Sequence, residues 1–269
     1  MRVFIVSDME GVAGITKWEQ VSGGESLYEE GRRLYTEEIN AAVRGAAAGG
    51  ADEIVVMDCH GAGKGWTFNS LMPDLLDERC EFVVQNEWTE YTGVLEQGCD
   101  AALFIAMHAR AGTGNGVLSH TVNSTEWRNL RFNGRLVGET GINAALCGTW
   151  NCPVLLVTGD DAACAEAKDL LGDGLATVAV KKGLGRFSAR HMAPARARAR
   201  IEEMAKAVLT KPDAVAPYDP GSPCEIEVEL AQPEHADVYR NRDGIELTDA
   251  RTVTSRANDW WTAWRRLYL

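Results

Sequence analysis

MRVFIVSDMEG, residues 1–11, decides the fold: Val3-Phe4-Ile5-Val6 is a short, continuous apolar run that stops at Ser7 and two carboxylates, Asp8 and Glu10, followed by Gly11. A run of this length without alternation is the signature of a strand buried on both faces, as in a parallel sheet covered by helices. The same grammar recurs downstream. Glu53–Met57 ends in Asp58-Cys-His60-Gly61, and Ala101–Met107 ends in His108-Ala-Arg110; Glu81–Val84 and Pro153–Thr158 are further runs read as buried strands. Helical patterns lie between them: Leu27–Ala48, closed by Gly49-Gly50, then Gly138–Gly148 and Ala162–Leu171. Strands alternating with helices predict an α/β fold with a doubly wound, mostly parallel sheet.

Two features interrupt the alternation. Trp127–Phe132, Asn133-Gly134 and Arg135–Val137 read as a hairpin insertion, because Asn-Gly supplies the two positive φ angles of a type I′ turn. After about residue 190 the composition changes: a helix from Pro194 to about Leu209, a Pro-rich connector at Lys211–Pro223, strands Glu225–Leu230 and Arg251–Ser255, and a C-terminal helix. The expected division is therefore a larger α/β domain, 1–190, which holds the candidate site residues taken up below, and a smaller α+β module, 191–269.

The 269 residues carry 39 acidic and 27 basic side chains, a formal net charge of −12. Such a balance argues against a nucleic-acid platform, which needs a basic stripe to neutralise phosphates. The run Arg196-Ala-Arg198-Ala-Arg200, followed by Glu202 and Glu203, reads as a solvated helix face. No apolar run reaches the roughly 18–20 residues of a membrane span. Seven cysteines form no CxxC pair, and the odd count suits free thiols in a reducing compartment. With a chain that opens directly on a strand, the expected location is cytoplasmic.

In a parallel sheet the carboxyl ends of strands share one edge, so Asp8, Glu10, His60 and His108 are expected to converge on the crevice where such folds bind ligands. Carboxylates and imidazoles gathered there demand positive charge between them, and a divalent metal supplies it. Oxygen and nitrogen donors without thiolates suit zinc, with manganese or cobalt as alternatives. Glu139, at the start of the helix after the hairpin, brings the set to three carboxylates and two histidines. That is more than one zinc takes, and two metals sharing a carboxylate use it naturally. His120 stands as a sixth ligand, a proton-handling acid or base, or a structural residue. Arg110 either pairs with a substrate carboxylate or holds an acidic neighbour. Cys59 reads as an inert buried thiol, and Trp260, Trp261 and Trp264 as packing residues of the last helix.

These pieces resemble a known family, the D-aminopeptidases of the dipeptide-transport operon type, metallopeptidase family M55. The similarity rests on SDMEG at 7–11, Tyr28-Glu29-Glu-Gly31-Arg32 with Thr36-Glu37-Glu38, Asp58-Cys-His60 and His108-Ala-Arg110-Ala. It continues through Gly116-Val-Leu-Ser-His120, Val137-Gly138-Glu139-Thr-Gly-Ile-Asn143, Pro153–Asp161 and Arg186-Phe-Ser188-Ala. The resemblance implies two zinc ions held by Asp8 as the bridge with Glu10, His60, His108 and Glu139, and a catalytic His120. It also implies a substrate of short peptides with an N-terminal D-residue, and a homo-oligomer in the form of a ten-subunit ring. Beside this expectation stand hydrolysis of another amide or of a phosphoester at the same metals, and a non-catalytic metal-dependent peptide-binding protein.

Overall fold

The computed structural model describes residues 1–86 and 92–268, with Asp213 described by its backbone alone. Among these residues the chain runs β1 (Arg2–Ser7), α1 (Tyr28–Ala48), β2 (Glu53–Asp58), β3 (Glu81–Val83), α2 (Gly93–Glu96), β4 (Ala101–Met107), β5 (Trp127–Phe132), β6 (Arg135–Val137), α3 (Glu139–Thr149), β7 (Val154–Asp160), α4 (Asp161–Leu171), β8 (Ala176–Gly185), β9 (Ser188–His191) and α5 (Pro194–Val208). It closes with β10 (Cys224–Leu230), α6 (Pro233–Asp237), β11 (Ile245–Leu247), β12 (Thr252–Ala257) and α7 (Trp260–Tyr268).

The first sheet has the order β3-β2-β1-β4-β7-β8-β9. Every pairing in it is parallel except β8 with β9. β1 and β4 are buried along nearly their whole length, as strands covered on both faces must be. α1 and α5 pack on each other and on this sheet, while α3 and α4 form a second pair against β4, β7 and β8. The chain leaves β1 toward β2 and β3 on one side and returns to β4 on the other. β1 and β4 therefore flank the topological switch point, and the crevice beyond their carboxyl ends is where an open α/β sheet receives a ligand.

β3 corrects one expectation. Its residues are largely exposed, Phe82 to 40%, because it is the short edge strand of the sheet and carries a neighbour on one side only.

A second, antiparallel sheet has the order β11-β12-β10-β5-β6. The Asn133-Gly134 hairpin supplies β5 and β6, and β10 pairs with β5, Val228 opposite Leu130. A division at 190/191 thus leaves strands of one sheet on opposite sides of it. α5, beyond that point, belongs to the first layer, with Gly45 of α1 so close to the Glu202 carbonyl and Ala205 that a Cβ has no room. α7 packs on β10 and β12 and also reaches α3, so the second sheet's helix closes over the helix that carries Glu139.

Candidate active site

Asp8 stands one residue past β1, where its amide still donates to the Ile105 carbonyl at 3.0 Å. The chain then turns. Gly11 donates to the Ala106 carbonyl at 2.8 Å and lies so close to the Ala106 and Met107 backbone that any side chain collides with it. The turn brings Asp8 and Glu10 to one side, against the alternation a continuing strand imposes.

Lys181 of β8 secures this loop from below. Its buried ammonium donates to the carbonyls of Glu10, Val12 at 2.9 Å and Ile15 at 2.8 Å. Burial pushes it down to about 8, against the pull of Asp160, Glu38 and Glu10.

At the end of β4, Ala106 has φ +64°, an uncommon conformation for a residue with a Cβ, and the β4–β7 register shifts between Phe104 and Met107. Such an irregularity re-aims the residues that follow, here His108.

His60 follows β2 and is oriented by Asp58. The Asp58 carboxylate accepts from the His60 amide at 3.0 Å, the Tyr35 hydroxyl at 3.1 Å, and the amides of Ser70 and Leu71. Asp58 therefore shapes the loop and does not reach the cluster itself.

Three imidazoles are each pinned by a main-chain carbonyl. His60 Nε2 donates to Val21 O at 2.7 Å, His108 Nδ1 to Ala109 O at 2.9 Å, and His120 Nδ1 to Leu118 O at 2.9 Å. In each neutral ring this leaves the other nitrogen unprotonated and turned to the cluster, the arrangement that prepares histidine for a metal or a proton.

Around those nitrogens the carboxylates divide into two lobes. His60 Nδ1 lies 3.2 Å from Asp8 Oδ1 and 3.1 Å from Glu10 Oε2. His108 Nε2 lies 3.2 Å from Asp8 Oδ2 and 3.2 Å from Glu139 Oε1. Asp8 thus offers one oxygen to each lobe. Glu139, the first residue of α3, is fixed by the Val122 amide at 2.8 Å, and His120 Nε2 stands 3.8 Å from the same oxygen. His120 stacks on His108 with centroids 4.0 Å apart and takes the edge of Trp18 on its other side at 5.6 Å.

Asp8 Oδ2, Glu10 Oε2 and His108 Nε2 are buried without a hydrogen-bond partner among the described residues. They stand close to one another yet are not aligned as donor and acceptor, which is how ligand atoms around a common ion are disposed. Donors at about 2.0–2.1 Å from a tetrahedral zinc stand roughly 3.3 Å apart, close to the separations found here. Two groups, Asp8/Glu10/His108 and His108/His120/Glu139, have donor atoms near enough to share an ion. The electrostatics agree: burial works against charge on His60 and His108, but Glu10 and Asp8 around one, and Glu139 and Asp8 around the other, raise both well above the usual imidazole range. Burial and the neighbouring His108 lower His120. The cluster demands positive charge, and its nitrogen and oxygen donors fit a divalent metal.

A model of peptidase family M55, described as D-aminopeptidase, matches residues 1–269. The chain belongs to the M55 D-aminopeptidase family. This M55 chain is therefore a peptide-bond hydrolase. It is similar to the D-aminopeptidase of Bacillus subtilis (strain 168), 32% identical over 270 residues that cover 99% of this chain and 95% of that protein. It is also similar to the solved structure of the Zn-dependent D-aminopeptidase DppA from Bacillus subtilis, described as a self-compartmentalizing protease. That match has a TM-score of 0.91 and 31% identity, and covers 99% of this chain and 95% of the other.

The M55 chain places Asp8, Glu10, His60, Glu139 and His120 on one cavity of about 360 Å³, with His108 buried behind them. Arg110 is elsewhere. It lines a separate cavity with Arg135 and Asp169, its amide donates to Glu166 Oε2 at 3.0 Å, and its guanidinium faces the same carboxylate. This is the acid-holding alternative and not contact with a ligand in the main cavity. Cys59 reaches the cavity, but burial raises its thiol well above the usual range, so it stays protonated.

The sequence reading missed three contributors. Lys181 leaves a trace, a cation directly after the largely apolar run Ala176–Val180. Trp18 leaves none, and Arg186 enters only within the Arg186-Phe-Ser188-Ala stretch of the resemblance, with no role attached; Arg186 sits over the Trp18 ring at 5.6 Å and donates to Ser119 O at 3.1 Å beside His120. The tryptophans of α7, read as packing, line the cavity.

Proposed function

We propose that this M55 enzyme is a dinuclear zinc aminopeptidase that removes N-terminal residues, of D configuration, from short peptides. The observation that carries this reading is Asp8, whose two carboxylate oxygens each face a different histidine with its own second carboxylate. His60 and Glu10 with Asp8 Oδ1 would hold one ion, and His108 and Glu139 with Asp8 Oδ2 the other. Zinc is favoured by the donor set and by the Zn-dependent relative of known structure. When bound, two such ions supply Lewis acidity for the scissile carbonyl and bring water toward ionisation near neutral pH.

The remaining work falls to the chain's own groups. Asp8, Glu10 and Glu139 are taken up as ligands in this reading, and the ions they would hold offer a place for the free amine of a peptide's amino terminus, which sets the end that enters. His120, 13% exposed, has Nδ1 committed to Leu118 O. Its Nε2 is the atom that accepts a proton at attack and returns it to the leaving amine. The stacked His108 and the edge of Trp18 fix the plane of that ring. Among the described residues no Lys or Arg lines the cavity, which disfavours a phosphoester substrate. The self-compartmentalizing relative supports a homo-oligomer, for which a ten-subunit ring is the form proposed, and a cytoplasmic setting completes the reading. No helix among the described residues is long and apolar enough to cross a membrane.

A panel of D- and L-aminoacyl amides, with the zinc-loaded protein and with protein stripped by a chelator, tests this function. D-amides are expected to turn over at least roughly a hundredfold faster than their L counterparts, and stripping is expected to abolish both activities. Equal or faster turnover of L-amides overturns the D assignment, and full activity without metal overturns the metallopeptidase.

A further inference from the structure

The cavity is acidic at one end and aromatic at the other. Along α3, Glu139, Ile142, Asn143 and Leu146 all line it, a spacing of three, four and seven residues that keeps them on one helix face over about 10 Å. Opposite that face stands α7. Trp260, Trp264 and Tyr268, at i, i+4 and i+8, form a staircase: Trp260 and Trp264 stack at 5.7 Å with planes 10° apart, and Trp264 and Tyr268 at 5.2 Å with planes 14° apart. Trp261 lies beside them, held edge-on by Trp150 at 5.1 Å. The staircase is fixed from behind by the second sheet, Trp264 against Trp127 at 6.4 Å and Trp260 against Phe132 at 5.8 Å.

A helix that served packing alone would bury all of these rings. Trp260 and Trp264 are nearly inaccessible, but Trp261 and Tyr268 remain only partly covered and border the same cavity as the carboxylates. The rings are already ordered, so a ligand meets a preformed apolar surface and no side chain has to be immobilised on binding.

Resting on the aminopeptidase reading, which sets the substrate's amino terminus at the metal-ligand end of the cavity, we infer that the α7 face is the specificity wall for the side chain of the N-terminal residue. The wall selects large apolar and above all aromatic side chains over a methyl group. Asn143, on the α3 face between Ile142 and Leu146, is the polar group placed to fix the orientation of the peptide between acid and aromatic ends.

The test compares kcat/KM for D-phenylalaninamide and D-alaninamide in the zinc-loaded wild type, Trp261→Ala, Trp261→Phe and Tyr268→Ala. The wild type is expected to prefer the aromatic amide. Trp261→Ala and Tyr268→Ala are each expected to lose roughly tenfold or more on it, chiefly through KM, with less than about a threefold change on the alanine amide; Trp261→Phe recovers most of the loss. As a readout without turnover, free D-phenylalanine titrated into the loaded wild type should shift its tryptophan fluorescence at concentrations where free D-alanine does not. A wild type that prefers the alanine amide, or variants that lose both substrates equally, overturns the wall and leaves the aminopeptidase standing. A loaded wild type that cleaves neither amide overturns the aminopeptidase reading and the wall with it.

Discussion

Asp8→Ala is expected to remove peptidase activity and metal binding together while the chain stays folded. Asp8 Oδ1 and Oδ2 each lie 3.2 Å from a different imidazole, so the one substitution takes an oxygen from both lobes. Loss of a group that merely supports a ligand costs roughly 10–100-fold in affinity or activity, and loss of a shared ligand is expected to exceed that range. The fold depends little on this side chain. Among the described residues its one hydrogen bond to the main chain is from the Met9 amide at 2.8 Å, whereas the loop is held by Gly11 against Ala106 and by Lys181 under Glu10, Val12 and Ile15. Metal analysis, amide hydrolysis and thermal unfolding, run on the same preparation, check all three parts. Retained metal and activity contradict the assignment, and a collapse in the unfolding temperature means that Asp8 has a structural role not accounted for above.

His120→Ala is expected to separate chemistry from metal binding. Proton transfer by a positioned imidazole contributes roughly 10²–10⁴-fold, so kcat should fall within that range. KM should change little, since the metal ligands and the apolar lining of the cavity remain. Metal content should be unchanged, because His108 Nε2 is 3.2 Å from Glu139 Oε1 while His120 Nε2 is 3.8 Å away and belongs to a ring stacked parallel to His108. A loss of metal in proportion to activity would make His120 a sixth ligand instead.

The metal-binding candidates were legible because parallel topology converts strand order into proximity. Once Val3–Val6, Glu53–Met57 and Ala101–Met107 are read as neighbouring parallel strands, their carboxyl-terminal residues share an edge wherever the rest of the chain goes. Glu139 was legible for a related reason, since a carboxylate in the first turn of a helix faces the crevice that the helix borders. Helix limits also came close: Leu27–Ala48 became Tyr28–Ala48, and Ala162–Leu171 became Asp161–Leu171.

What escaped depends on contacts that no local pattern encodes. The pairing of β10 with β5 joins residues about a hundred positions apart, and only that sheet explains why α7 faces α3. A cluster of tryptophans on a terminal helix looks the same whether its far side is buried or borders a cavity. β8 was passed over because Lys181, Lys182 and Gly183 break its apolar alternation; Lys181 turns inward to three carbonyls, and Gly183 sits where the Asn115 carbonyl leaves no space for a Cβ. For Arg110, two residues from His108, the sequence left two readings open, a substrate carboxylate or an acidic neighbour; the guanidinium stands 3.9 Å from Glu166 of α4 and lines a cavity apart from the main one.

The central claim is that one carboxylate, Asp8, joins two metal sites. The most direct measurement is the zinc stoichiometry of the wild-type chain, taken by elemental analysis after saturation with zinc and exhaustive desalting. The two-lobed arrangement predicts two zinc ions per chain, whereas a plateau at one contradicts it.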